Sequence, residues 1–303
     1  MNEDLFIQQL LKQLPQLPDS VFIGPGDDCA ALEWIDDTLM LVTVDQVVGD
    51  RHYIAFENTP TAPEQVGRKL LARNLSDIAA MGGHPLFAVV TMAFPKHQPT
   101  TRFEAIAKGI ANLANKTGVA VIGGDIATTP ADEVFTLTLL GKVAKNEICL
   151  RSTAQPGNLL CMTGQAGASF ETHHHLDFSP RIEQGHWLTQ NQFATAMIDI
   201  SDGVALDAFR IAKASSLQIS LDLDKIPLRD PERPVKIAIA DGEDYELLFT
   251  VNPEDLQPLL DDWPFDDVPI TQIGKCADGK PDVLDQTANS LVDQPQTGFD
   301  HFN

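Results

Sequence analysis

Short acidic clusters punctuate this sequence in stretches otherwise rich in apolar residues: Gly26-Asp27-Asp28, Thr43-Val44-Asp45, Asn74-Leu75-Ser76-Asp77, Gly123-Gly124-Asp125 and Asp199-Ile200-Ser201-Asp202-Gly203. A carboxylate at the end of an apolar run is costly to bury unless positive charge joins it. A divalent cation is the simplest shared partner. All-oxygen ligation suits magnesium, which takes one or two carboxylates and completes its shell with water and substrate phosphate. The pattern points to a magnesium-dependent enzyme that handles phosphate groups.

Each cluster also has a purely local reading. Asp28 follows a Gly-Pro-Gly turn whose glycines let the backbone approach an anion, and a plain turn is the alternative. Asp45 interrupts an apolar strand with Thr43 on the same face, which offers a metal one carboxylate and one hydroxyl; a solvated strand end is the other reading. Asp77 shares a helix face with Arg73 and could simply pair with it at the surface. Its neighbours Leu75, Ile78, Ala79 and Ala80 are small or apolar, which favours a buried role. Gly123-Gly124-Asp125 closes a short aliphatic strand, the place where open α/β layers put ligands, and two glycines permit close approach of a phosphate. The Asp199–Gly203 cluster ends a strand and opens a helix. Ser201 or Asp202 can cap that helix, its free N–H groups suit an anion, and Asp199 faces a cation.

Further along, Gly242-Glu243-Asp244-Tyr245-Glu246 precedes an aliphatic strand, with Glu243 expected to face substrate and Glu246 expected at the surface. Arg151 can grip a nucleotide phosphate in a two-pronged fork, and His52 can touch an acceptor. Three consecutive histidines, His173 to His175, cannot all face one ion and read as a loop. No G-x-x-x-x-G-K-[ST] is present, which excludes a P-loop enzyme.

The elements that must position these residues alternate between strand and helix. Leu39 to Val48 reads as a buried strand. A helix then starts near Pro63, repeats apolar residues from Val66 to Ala79, and stops at Gly82-Gly83. Phe87 to Ala93 is a strand, Thr101 and Glu104 form a capping box for a helix to about Lys116, and Gly118 ends it. Strands Val119–Ile122 and Val134–Val143 complete a first layered unit. Pro156 and Gly157 mark the change of unit. Strands are then expected at 159–163, 194–200, 218–223, 245–251 and 270–273, with helices at 180–189 and 203–214. The fold expected is α+β in two domains, residues 1–148 and 149–303: an N-terminal mixed sheet with helices on one face, and a C-terminal α/β sandwich-like domain.

Composition narrows the field. The 303 residues are 43% apolar, enough for two cores, and carry 21 Lys and Arg against 43 Asp and Glu, a net charge of −22. Such a chain repels a phosphate backbone, so no nucleic-acid partner is expected. Phosphate substrates can approach only where metal ions invert the local sign. Cys29, Cys149, Cys161 and Cys276 are widely spaced and form no C-x-x-C, which suggests ordinary buried thiols. With no apolar run long enough to span a bilayer and no basic-then-apolar leader at Met1–Leu14, a cytoplasmic protein without membrane contact is expected.

Taken together and in order, Gly24–Leu32, Asn74–Gly82, Gly123-Gly124-Asp125, Ile198–Gly203, Gly242–Leu247 and Gly298–Phe302 resemble the motifs of the thiamine-monophosphate kinase family over nearly the whole chain. The resemblance implies the ATP-binding superfamily that includes aminoimidazole ribonucleotide synthetase and selenophosphate synthetase. It also implies a homodimer formed through the N-terminal sheets, with ATP at their junction. By matching positions it makes Asp28, Thr43, Asp45, Asp77, Asp125 and Asp199 magnesium ligands, with Asp202 an outer one. Gly124, Asp125, Arg151 and Ser201 would meet ATP. His52, Glu243 and Phe299 would meet thiamine monophosphate, Phe299 by stacking. Asp45, Asp125 and Asp199 would carry the phosphoryl transfer. Val44, Ile126 and Asp177-Phe178 depart from the family's usual residues. Two other readings stay open: a synthetase of the same superfamily, and a nucleotide-binding homologue without catalysis.

Overall fold

Period-two alternation in Thr38–Val48 buries Leu39, Leu41, Thr43 and Val47 on one side and leaves Val44 and Gln46 on the other. The computed structural model describes residue 7, residues 9–56 and residues 60–292. Phe299 and the Gly298–Phe302 motif lie outside the described residues. Strands β1 (Val21–Ile23), β2 (Ala30–Glu33), β3 (Thr38–Val48), β4 (His84–Pro95), β5 (Ala120–Thr129) and β6 (Val134–Ala144) form one six-stranded sheet in the order β1-β2-β3-β6-β4-β5. All pairs are antiparallel except β4 with β5. That parallel pair needs a crossover, and helix α2 (Thr100–Thr117) supplies it.

Helix α1 (Pro63–Ala80) has proline in its first turn, as its sequence suggests, and lies with α2 on one face of the sheet. The two helices cross where each offers a glycine. A Cβ on Gly67 would meet the Ile106 carbonyl oxygen at 2.0 Å, and one on Gly109 the Glu64 carbonyl oxygen at 2.0 Å. Among the described residues no helix covers the sheet's other face, and edge strand β5 is exposed along nearly its full length. Val44, Ile122 and Ile126 are 61%, 62% and 63% exposed.

A second sheet holds β7 (Leu159–Thr163), β8 (Ala196–Asp199), β9 (Gln218–Leu221), β10 (Leu247–Val251), β11 (Ile270–Ala277) and β12 (Asp282–Leu284) in the order β12-β9-β11-β7-β10-β8. Leu160, Met162, Ile198 and Leu248 pack into one core with helix α5 (Val204–Ala214). Their alternating neighbours Cys161, Met197, Leu247 and Phe249 meet Ala79 and Ala80 of α1 and Leu188 of helix α4 (Ile182–Gln190). A one-turn helix α3 (His174–Asp177) precedes α4. Gly185 makes the contact of α4 with α1 possible, since its Cβ would sit 2.1 Å from the Ala79 carbonyl oxygen. Helix α1 therefore ends buried between the two sheets, carrying Asp77 into the junction. All four cysteines are buried and free.

Several expectations need correction. Helix α2 starts at Thr100 behind Pro99 and has no side-chain cap, so Thr101 and Glu104 fall inside the helix and cannot form a capping box. Strand β5 does not close at Asp125 but runs on to Thr129, because parallel pairing with β4 continues through Pro95. The N-cap of α5 is Gly203, at φ 109°, rather than Ser201 or Asp202. A Cβ there would approach the Asp241 carbonyl oxygen to 2.7 Å. The backbone N–H groups of Ser201 and Asp202 are already bonded, at 3.1 and 3.0 Å, to the carboxylate of Asp207. They are therefore not free for an anion. Glu246, expected at the surface, is 2% exposed and forked by Arg181. Strands β1, β2 and β12 and a helix at Leu256–Asp262 were not legible in the sequence pattern.

Candidate active site

Three elements from both sheets bring carboxylates to one point. Asp28 comes from the turn before β2, Asp77 from α1 and Asp199 from the end of β8, and one carboxylate oxygen of each lies within 4.8 Å of the other two. Asp199 is buried, and so is the side chain of Asp28, 1% exposed. Thr43 on β3 donates its hydroxyl to Asp77. Ser76 donates to Asp199 at 2.6 Å. Burial pushes the Asp77 carboxyl well up, and Asp45, Asp199 and Asp28 push it further. Asp199 is likewise raised by burial and then by Asp28. Charge of one sign is concentrated here without enough of the other, which is the condition a bound cation relieves.

The nearest positive group is Arg151, whose Nη2 and Nε reach Asp28 at 2.7 and 3.1 Å. Its backbone N–H donates to Asp27, whose carboxyl is pushed up to about 7 by burial and by Asp28, with Arg151 opposing. Asp45 is held by Arg73 at 3.1 Å. Asp202 pairs with Arg210.

A cavity of about 240 Å³ opens over this acidic point. Asp45, Asp77, Asp199, Ser201, Asp202, His52 and Glu243 all contribute to its wall. Glu243 and Tyr245 sit at φ 63° and 51°, a left-handed backbone that non-glycine residues adopt only under constraint. The constraint is visible: their N–H groups bond the carbonyls of Ser201 and Ile200 at 2.7 and 2.8 Å. Beside them Lys69, wholly buried, donates to Glu243 at 2.7 Å and to the His52 carbonyl at 2.7 Å. Burial lowers its pKa to about 8, with Glu243 opposing. Burial acts to raise Glu243, but Lys69 and then Arg73 outweigh it and hold that carboxyl below its ordinary value.

The residues singled out in the sequence divide accordingly. Asp28, Thr43, Asp77 and Asp199 meet at the acidic point; Asp45, His52, Ser201, Asp202 and Glu243 line the cavity; Arg151 clasps Asp28 from outside it. Gly124 and Asp125 are not brought there within one chain. Register sets Asp125 beside Thr91, which pairs with Thr136, which pairs with Gln46. Asp125 thus belongs to the open sheet face, whereas Asp45, one residue from Gln46, faces Arg73 of α1. Gly124 is required by close packing, since a Cβ would meet the Val90 carbonyl oxygen at 2.1 Å. Lys69 and Phe170 were not singled out. Lys69 had a signal, because Lys69, Arg73 and Asp77 follow at four-residue steps on one helix face.

A two-sheet fold of this kind is shared by a known class. Residues 26–143 match the family described as AIR synthase related protein, N-terminal domain. The thiamine-monophosphate kinase of Rhodopirellula baltica is 33% identical, over 99% of this chain and 97% of its own length. That of Bacillus subtilis is 31% identical, over 93% and 94%. The solved structure of AaThiL complexed with AMPPCP and TMP superposes with a TM-score of 0.84 at 25% identity, covering 99% of this chain and 97% of that one. The chain belongs to the thiamine-monophosphate kinase family.

Proposed function

We propose that this protein transfers the γ-phosphoryl group of ATP directly to the phosphate of thiamine monophosphate, giving thiamine diphosphate. The convergence of Asp28, Asp77 and Asp199 within 4.8 Å carries the reading. Those carboxylates, the Thr43 hydroxyl and the nearby Asp45 form an all-oxygen donor set, which fits magnesium. Asp202 stands one step further out. Bound there, magnesium would offset the repulsion between two phosphate-bearing reactants.

The chain's own residues do the positioning. The acceptor phosphate is largely ionised near neutral pH, its second pKa being about 6. No strong base is needed, in keeping with a cavity wall that has many acids and only His52 as an ordinary base. Lys69 and Arg73 keep Glu243 charged, ready to orient the organic part of the acceptor together with His52. Arg151 suits a nucleotide phosphate because its fork already matches a planar pair of oxygens at Asp28. Ser201, which lines the cavity, is the second residue assigned to the nucleotide. Phe299, outside the described residues, is assigned to the acceptor by its motif alone.

Gly124 and Asp125 act, in this reading, from a second copy. Their strand is the exposed edge of a sheet whose second face carries no helix among the described residues; Val44 on that face, and Ile122 and Ile126 along the edge strand, are apolar and open. A homodimer through this region covers them. The deciding experiment incubates the purified protein with ATP, thiamine monophosphate and Mg2+, and follows thiamine diphosphate by chromatography. Product that depends on both thiamine monophosphate and Mg2+ is expected; ADP release indifferent to thiamine monophosphate would reject the assignment.

A further inference from the structure

Phe170 is the one wholly apolar side chain among the described residues lining the cavity, and it is 46% exposed. Its loop, which follows β7, is held stiffly. Gly167 and Ala168 take left-handed φ values of 78° and 57°. The Gly167 N–H donates to both carboxylate oxygens of Asp244 at 3.0 Å, the Ala168 N–H to Asp241 at 2.9 Å, and the Ser169 hydroxyl to Asp244 at 2.7 Å. Arg229 neutralises Asp244 at 2.6 Å. Behind the ring lies His175, 5% exposed, with ring centroids 4.1 Å apart and planes inclined by 21°. The His175 Nδ1 is itself 2.9 Å from the Ser169 carbonyl oxygen.

An aromatic ring backed on one face, fixed by a buried polar network and open towards a charged cavity is pre-organised for stacking, because its ordering cost was met on folding. We propose that Phe170 is the platform on which the flat heteroaromatic ring of the phosphate acceptor stacks, and that it sets specificity for an aromatic acceptor. The assignment rests on the function proposed above. It favours the acceptor over the adenine of ATP because Phe170 is tied to the acceptor end: the Lys69 Nζ lies 5.5 Å from its ring centroid and bonds both Glu243 and the His52 carbonyl. Of the residues assigned to the nucleotide, Ser201 lines the cavity and Arg151 does not.

Steady-state kinetics of Phe170→Leu, Phe170→Ala and Phe170→Tyr, varying each substrate in turn, test the idea. Leucine keeps the volume without the π face, so both Phe170→Leu and Phe170→Ala should raise the KM for thiamine monophosphate about tenfold, as expected for one lost stacking contact. Most of the loss in kcat/KM should fall on KM. Phe170→Tyr should stay within about threefold of wild type, and the KM for ATP should move less than about twofold in all three. Calorimetric titration of each variant with thiamine monophosphate should show the same weakening. A Phe170→Leu variant with wild-type acceptor KM and affinity, or one whose loss falls on ATP, overturns the platform while leaving the kinase reading intact. A wild-type protein that neither turns over nor binds thiamine monophosphate overturns both.

Discussion

Asp77→Asn separates function from stability at the acidic point. Three carboxylates within 4.8 Å repel one another by about 3.5 kcal/mol per fully charged pair at an effective dielectric constant of about 20. Proton uptake relieves part of this in the metal-free protein, since burial and neighbours raise both Asp77 and Asp199. A net gain of about 1 to 2 kcal/mol therefore remains when one charge is removed. Asparagine keeps the shape and an oxygen that can still accept the Thr43 hydroxyl, so little packing is lost. For a chain of this size the gain corresponds to a melting temperature raised by roughly 1.5 to 3 °C. Magnesium should reverse the order. At about a hundred times its dissociation constant it stabilises the wild type by about 2.7 kcal/mol, and the variant by much less. Thermal unfolding with EDTA and with Mg2+, followed by circular dichroism, reads both effects, and turnover should fall by several orders of magnitude. A metal-free Asp77→Asn protein that melts below wild type, or that gains as much from Mg2+, would refute the electrostatic account of this site.

Three further outcomes follow from the same geometry. Lys69 has a folded pKa of about 8 against an ordinary 10.5; between those values only the unfolded chain holds the proton. Its contribution to stability therefore rises with pH across that window and is lost as pH falls through about 8. Urea unfolding of wild type and Lys69→Met from pH 7.5 to 10.5 should show the difference moving in favour of wild type, and a flat difference would contradict the burial argument. Asp244→Ala strands Arg229, only 10% exposed, and should cost about 3 to 5 kcal/mol by denaturant titration, as breaking a buried ion pair does. Ile126→Lys places a charge on the exposed edge strand; if the proposed homodimer forms there, sedimentation should show it weakened by at least about tenfold with the monomer's fold unchanged.

Where the chemistry was legible in the sequence and where it was not comes down to what is local. Asp77 and Asp199 could be read because a carboxylate among Leu75, Ile78 and Ala79, or after Met197 and Ile198, contradicts its surroundings unless something joins it. Asp125 carries the same local contradiction, yet its side of the sheet depends on register: a single-residue step along a strand reverses the face, as Asp45 and Gln46 demonstrate. Nothing in Gly123-Gly124-Asp125 says which face the helices cover, and pairing with Thr91 decides it. Glu246 looked solvent-facing because its partner Arg181 is 65 residues away. Phe170 is explained only by His175 behind it and Asp244 beneath its loop, the second of these 74 residues later in the chain. Lys69 could have been found, since a lysine on an apolar helix face in step with Arg73 and Asp77 has no solvent to reach and must meet an acid. The acid it meets, Glu243, is supplied by the other sheet's side of the junction. The two-sheet arrangement thus makes the site: Asp28 and Glu243 each take a cation from the other half, Arg151 and Lys69, and Asp77 and Asp199 meet across the junction, where a shared metal can neutralise both.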